Sequence, residues 1–218
     1  MEVIKIKNKK VAEIYFLTDK KENKNSEVVK IIRNSLFKCY NELPIHNKKI
    51  AISYSKDSFI KNRMGGVGAD ALQENLINLQ INPVKGWKKE LANSIAHEYS
   101  HLAVLDVRRW STVLDSLIIE GIAENFREEI IGGKKAPWTK ALTKIESKNL
   151  LKRLRVKLKL KAEKLHHPLF FESKEYKMWS GYSLGYFIVK EFREKYSSLS
   201  WKEIIRLKSS QILNKSGF

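Results

Sequence analysis

The chain of 218 residues holds a single cysteine, Cys39, so no internal disulfide can form. That excludes a disulfide-stapled scaffold and points to a reducing compartment. It also lacks any apolar stretch near the roughly 20 residues needed to span a bilayer. Its start, Met1-Glu2-Val3-Ile4-Lys5-Ile6, carries no apolar run of signal-peptide length. A cytoplasmic location without a transmembrane segment is the expectation. Internal repeats and low-complexity linkers are missing too, which excludes solenoids and tethered modules. A hydrophobic fraction of 43% excludes disorder and leaves enough apolar mass for a packed core.

Acidic residues are scarce beside basic ones: 24 Asp and Glu against 42 Lys and Arg give a net charge of +18. Such a surplus is compatible with nucleic acid, anionic membranes or acidic substrates. Two features favour a solvated basic surface instead. Most of the excess is lysine, and it is spread along the chain. The densest run, Lys148 to Lys164, reads as part of one basic amphipathic helix, with Leu150, Leu151, Leu154, Leu158 and Leu165 on its apolar side.

Periodicity divides the chain into a strand-containing part, 1–86, and a helical part, 87–218, within a single expected domain. Glu2–Lys7, Lys49–Tyr54 and Leu76–Ile81 read as strands. Ser26–Leu43 reads as a helix with Ser26 as its cap and Pro44 beyond its end. Lys20–Asn25 reads as a polar break and Ser55–Asp70 as a loop containing Gly65, Gly66 and Gly68. Helices are expected at Trp87–Leu105, Thr112–Ile131 (stopped by Gly132-Gly133), Pro137–Leu165, Ser180–Tyr196 and Ser200–Leu213. The fold class is α+β: a small N-terminal sheet with helices, then a mostly helical part, with an active-site cleft between them.

One of these helices carries His97-Glu98-Tyr99-Ser100-His101, an H-E-x-x-H sequence. Residues four apart share a helix face, so two imidazoles at this spacing can hold one Zn²⁺. Glu98 then lies close enough to take a proton from a water that the metal activates. Ile95, Ala96, Leu102, Ala103 and Val104 surround the motif. A charged glutamate in so apolar a setting is costly to bury without a partner, and a metal site supplies one.

Eighteen residues after His101 comes Glu120, in Glu120-Gly121-Ile122-Ala123-Glu124. It follows Leu117-Ile118-Ile119, which argues against a merely solvated face. Glu120 is the candidate third ligand, and Glu124, one turn on, a candidate acceptor from a ligand histidine N–H. The reverse assignment, Glu124 as ligand and Glu120 as support, stays open. Gly121 permits close helix approach, and Glu128 is expected to face solvent.

A zinc hydrolase also needs a donor for the oxyanion. Gly181-Tyr182-Ser183-Leu184-Gly185-Tyr186 offers two phenols. Tyr182, near a helix start, is the better candidate. Tyr186, followed by Phe187, Ile188 and Val189, fits ordinary packing. His166 and His167, before Pro168 in an expected loop, are weaker alternatives. The glycines at 65, 66 and 68 precede a strand and could let a peptide approach a sheet edge, as strand addition requires. No Gly-Lys-Ser/Thr follows them, so this is not a phosphate loop.

His97-Glu98-Tyr99-Ser100-His101 followed by Glu120-Gly121-Ile122-Ala123 resembles the gluzincin metallopeptidases, in the spacing of the aminopeptidase-N-like branch. That resemblance implies a zincin-like domain, with His97, His101 and Glu120 as zinc ligands and Glu98 as general base. It also implies a catalytic tyrosine in a Tyr-x-x-Gly segment some sixty residues later, where Tyr182-Ser183-Leu184-Gly185 stands. Over roughly Met64 to Phe192 the motifs look like those of a bacterial family of predicted zinc-dependent proteases. Peptide or protein substrates follow from that likeness. The chain departs from the aminopeptidases at Met64-Gly65-Gly66-Val67-Gly68, where their amine-binding glutamate has no counterpart. Two other readings are a non-peptidase zinc hydrolase and a basic nucleic-acid-associated protein with a zinc site, although no groove-reading motif is present.

Overall fold

Strand-forming residues alternate where they should. Ile50 and Ile52 are buried, as are Ile77, Leu79 and Ile81, with less buried residues between them. The computed structural model describes residues 1–17, 24–73, 75–132, 135–171 and 173–218. The architecture is α+β, in two compact units, Met1–Asp106 with Ile130–Gly132, and Val107–Glu129 with Gly133–Phe218.

In the first unit, β1 (Glu2–Ile6), β2 (Lys9–Phe16), β3 (Lys48–Tyr54), β4 (Val67–Gln73) and β5 (Leu76–Ile81) form a mixed sheet in the order β1-β2-β3-β5-β4. β2, β3 and β5 run parallel, and antiparallel β1 and β4 close the edges. Register aligns Ile14, Ile50 and Ile77 across three strands, so one row of branched side chains serves the core.

The sequence pattern passed over β2. Its hairpin to β1 turns on Lys7 and Asn8, both left-handed at φ 49° and 61°. A two-residue turn of this hand favours Asn or Gly, and a Lys-Asn pair is a weak signal for it. The expected Ser55–Asp70 loop is also corrected. Asp57 caps a short helix, α2 (Ser58–Arg63), by accepting from the Phe59 and Ile60 amides, and β4 starts at Val67. The polar break at Lys20–Asn25 lies mostly outside the described residues.

Helix α1 (Lys24–Glu42) buries Val28, Ile32, Leu36, Cys39 and Tyr40. It packs against α3 (Trp87–Leu105), which also lies on β4 and β5. Burial pushes the Cys39 thiol well above its ordinary pKa, so it is held protonated and inert.

The second unit is helical: α4 (Val113–Ile131, all but its last two residues), α5 (Lys144–Leu154), α6 (His166–Phe170), α7 (Ser180–Lys195), α8 (Trp201–Ile204) and α9 (Ser209–Ser216). Its buried residues include Leu117, Ile118, Ile122 and Phe126 of α4 and Leu184, Ile188, Val189 and Phe192 of α7. The first turn of α4 is closed by a reciprocal pair: the Thr112 amide donates to Asp115 (2.9 Å) and the Asp115 amide to the Thr112 hydroxyl (3.1 Å). Burial alone would raise the Asp115 pKa, but hydrogen bonds from Ser209, Thr112 and Ser111 outweigh it and hold the carboxyl below its usual range.

The long basic helix expected over Pro137–Leu165 is broken. A 3₁₀ turn at Trp138–Lys140 precedes α5, which a Thr143–Glu146 capping box starts afresh. Beyond Leu154 the amides of Val113 and Leu114 bind the carbonyls of Leu160 and Leu158, drawing this stretch out of helical geometry. The expected helix over Ser200–Leu213 is likewise two pieces, α8 and α9. Among the described residues no helix is long and apolar enough to cross a membrane.

Candidate metal centre

Helix α3 carries the H-E-x-x-H sequence in its C-terminal half, where every residue from Ile95 to Val104 is buried. The spacing does what the helical period requires. The Nε2 atoms of His97 and His101 lie 2.9 Å apart, with the rings at 82°. When both rings are neutral, one N–H donates to the other lone pair. Two zinc–nitrogen bonds of the usual length at a tetrahedral angle place their nitrogens about 3.3 Å apart. The pair therefore fits joint ligation of one zinc ion with only a small adjustment.

Glu98, between them, is buried with only 7% of its surface exposed. Tyr99 serves the fold: its hydroxyl donates to the Leu43 carbonyl (2.6 Å) and accepts from the Ile45 amide (3.3 Å). That pins the loop after α1 to α3, and burial raises the phenol's pKa far above its ordinary value. Lys48, itself buried, donates to Asp106 at the C-terminal end of α3 (2.7 Å) and fixes that end to β3.

Helix α4 presents Glu120 at 4% exposure and Glu124 fully buried. Glu120 in the second unit, like His97 and His101 in the first, is a buried residue of a type that ligates metal ions. Glu124 is engaged otherwise. One carboxylate oxygen accepts from Arg127 Nε (3.1 Å) and a terminal guanidinium nitrogen (2.9 Å), and the other from Trp138 Nε1 (2.6 Å). Sequence reasoning missed both partners. Arg127 lies three residues along the same helix and was legible in principle; Trp138 comes from a separate turn and left no local signal.

Gly121 has a purely steric reason. A Cβ there would lie 2.2 Å from the Gly185 carbonyl oxygen, and one on Gly185 would lie 2.0 Å from the Leu117 carbonyl oxygen. α4 and α7 thus cross backbone to backbone, and Asn125 bridges them by donating to the Gly121 and Tyr186 carbonyls.

The two candidate phenols part company on α7. Tyr186 is fully buried, donates to Glu128 (2.9 Å) and accepts from Lys190 (3.1 Å). Burial, then the Glu128 hydrogen bond, push its pKa far up. Glu128 is therefore a half-buried partner of Tyr186 and not the solvent-facing residue expected. Tyr182 is half-buried in the first turn of α7. His166 and His167 lie in helix α6 instead of a loop, packed on aromatic neighbours: His166 stacks on Phe170 at 4.7 Å and His167 tilts over Phe171 at 5.5 Å.

The glycines near β4 also serve the fold. Gly65 and Gly66 are left-handed (φ 64° and 91°), and a Cβ on Gly66 would strike the Asn82 carbonyl oxygen at 2.4 Å. They make the turn into β4. That strand is an edge of the sheet, whereas Leu76–Ile81 lies inside it.

A family model described as predicted Zn-dependent protease (DUF2268) matches residues 20–214. No curated protein and no solved structure matches the chain. The match spans nearly the whole chain, including His97, His101 and the buried Glu98, Glu120 and Glu124, and the chain belongs to this family of predicted Zn-dependent proteases.

Proposed function

We propose that the protein is a zinc-dependent peptidase in which His97, His101 and Glu120 hold the metal. The observation that carries the reading is the convergence of the two imidazole nitrogens to 2.9 Å in a buried stretch of helix. A buried carboxylate as third ligand leaves one position for water or substrate, the pattern of catalytic and not structural zinc. Bound zinc supplies Lewis-acid polarisation and brings the pKa of a water towards 7.

The chain's own residues do the rest. Glu98 accepts the proton of the attacking water and passes it to the nitrogen of the breaking amide, which leaves as a neutral amine. The Tyr182 hydroxyl donates to the carbonyl oxygen as it gains charge. Glu124 acts as a support, since Arg127 and Trp138 already claim both its oxygens. The free edge of β4 suits an extended peptide, which would add as a further strand. A peptide is the substrate class that both this edge and the family's description favour.

The test combines metal content with hydrolysis of a mixed peptide library, alongside ester and small-amide substrates. Glu98→Gln should keep about one zinc per chain while hydrolysis falls by roughly 10²–10⁴-fold, the usual contribution of a general base. Glu120→Ala should lose the metal, and Glu124→Ala should retain it. Full activity in Glu98→Gln would sink the mechanism, and metal loss confined to Glu124→Ala would reverse the two glutamates. Cleavage of esters alone would make the protein a different zinc hydrolase.

A further inference from the structure

In the second unit three half-buried aromatic rings stand together: Trp138, Trp179 and Tyr182. The Trp138 ring lies 6.2 Å from Trp179 and 6.3 Å from Tyr182. Buried Phe170 supports the group from below, meeting Tyr182 edge-on at 4.9 Å. Gly181 makes room for that support: a Cβ there would lie 2.7 Å from the Phe170 ring.

Two features set this cluster apart from ordinary core packing. Trp138 is fixed before any ligand arrives. Its indole N–H is held by Glu124 (2.6 Å), and its carbonyl accepts from the Ser183 hydroxyl one residue beyond Tyr182 (2.9 Å). Trp179, just before α7, has a left-handed backbone (φ 65°, ψ 13°). For a bulky residue that conformation is costly and rare, and such strain gathers at binding sites. Full burial does not repay it, because Trp179 stays partly exposed.

We propose that Trp138, Trp179 and Tyr182 line a side-chain subsite that takes an aromatic or large aliphatic residue of the peptide, next to the scissile bond. The placement next to that bond rests on Tyr182 being the oxyanion donor. Rigid aromatic faces give an apolar side chain large contact at little entropic cost. Such faces also attract cations. Here the chain's net charge of +18 opposes a lysine or arginine in the substrate, and Glu124, the carboxylate behind Trp138, is already paired with Arg127. The subsite therefore selects neutral side chains.

The experiment uses the zinc-loaded protein and blocked pentapeptides Ac-Ala-Ala-X-Ala-Ala-amide, with X as Gly, Lys, Leu or Phe. Trp179→Asn is the variant, because asparagine tolerates the left-handed backbone and removes the ring. Its melting temperature is measured alongside. For wild type, kcat/KM for Phe and Leu should exceed that for Gly and Lys by about tenfold or more, the discrimination a good apolar pocket supplies. In Trp179→Asn that ratio should fall to within about threefold.

The same peptides are titrated calorimetrically into Glu98→Gln protein, with and without Trp179→Asn. If Phe binds more tightly than Gly, loses that advantage in Trp179→Asn, and yet wild type hydrolyses neither peptide, the peptidase reading falls and the subsite stands. If hydrolysis needs Glu98 but shows no preference for Phe and Leu, or keeps its preference in a folded Trp179→Asn, the subsite falls and the peptidase reading stands. A preference for Lys, or displacement of the Phe peptide by oligothymidylate, overturns the assignment to an apolar side chain.

Discussion

At the scale of single residues, Glu124 shows how much chemistry one buried carboxylate demands. It is fully buried, and it accepts two N–H groups from Arg127 and a third from Trp138. Arg127 is almost as buried. Arg127→Met keeps the apolar length of the side chain and removes the charge, leaving the carboxylate uncompensated. Denaturant unfolding should show a loss of about 3–5 kcal/mol. The double variant Arg127→Met with Glu124→Gln should recover much of it, since the stranded charge is then gone. A single variant as stable as wild type would show that Glu124 is not held as an anion by this pair. Part of the candidate site was legible at this scale. His97, Glu98 and His101 stand in one helix at a spacing that dictates a shared face, whereas the donation from Trp138 comes from a turn fourteen residues away.

At the scale of elements, α4 and α7 cross with backbone against backbone. Gly121 and Gly185 each face a backbone carbonyl, which cannot rotate aside as a side chain would. In a solvated helix, Gly→Ala stabilises by roughly 1 kcal/mol. Gly121→Ala should instead cost about 3 kcal/mol or more, because overpacking must push two helices apart. Urea midpoints check the sign, and a variant at or above wild-type stability would refute this account of the crossing. Strong periodicity made α1, α3, α4 and α7 readable from sequence to within a residue or two. The basic stretch after Pro137 misled because its leucines keep a helical period. Two of its backbone carbonyls, at Leu158 and Leu160, are captured by the start of α4, and that distant competition decides the conformation.

For the whole molecule, the net charge of +18 is the dominant long-range term. Ion pairs such as Lys88 with Glu27 and Lys157 with Glu175 offset some of it, but the described acidic residues are too few to neutralise the rest. Self-repulsion destabilises a compact state, and salt screens it over about 8–10 Å at physiological strength. The melting temperature should therefore rise by a few degrees as sodium chloride goes from about 20 to about 300 mM, since about 1 kcal/mol shifts a chain of this size by roughly 2–4 °C. A melting temperature that falls with salt would mean that attractive pairs outweigh the repulsion.

The sequence by itself determined the α+β order, the helix that carries His97 and His101, and the placing of Glu120 and Glu124 on α4, because each rests on a local period of backbone geometry. Tertiary structure alone decided that β4 is an edge and Leu76–Ile81 is interior, since strand order depends on pairings between distant segments. It also decided what Gly121, Trp138 and Trp179 are for. A glycine that admits a neighbouring backbone, an indole aimed at a buried carboxylate and a tryptophan held left-handed all answer to contacts or backbone conformation that no local pattern encodes.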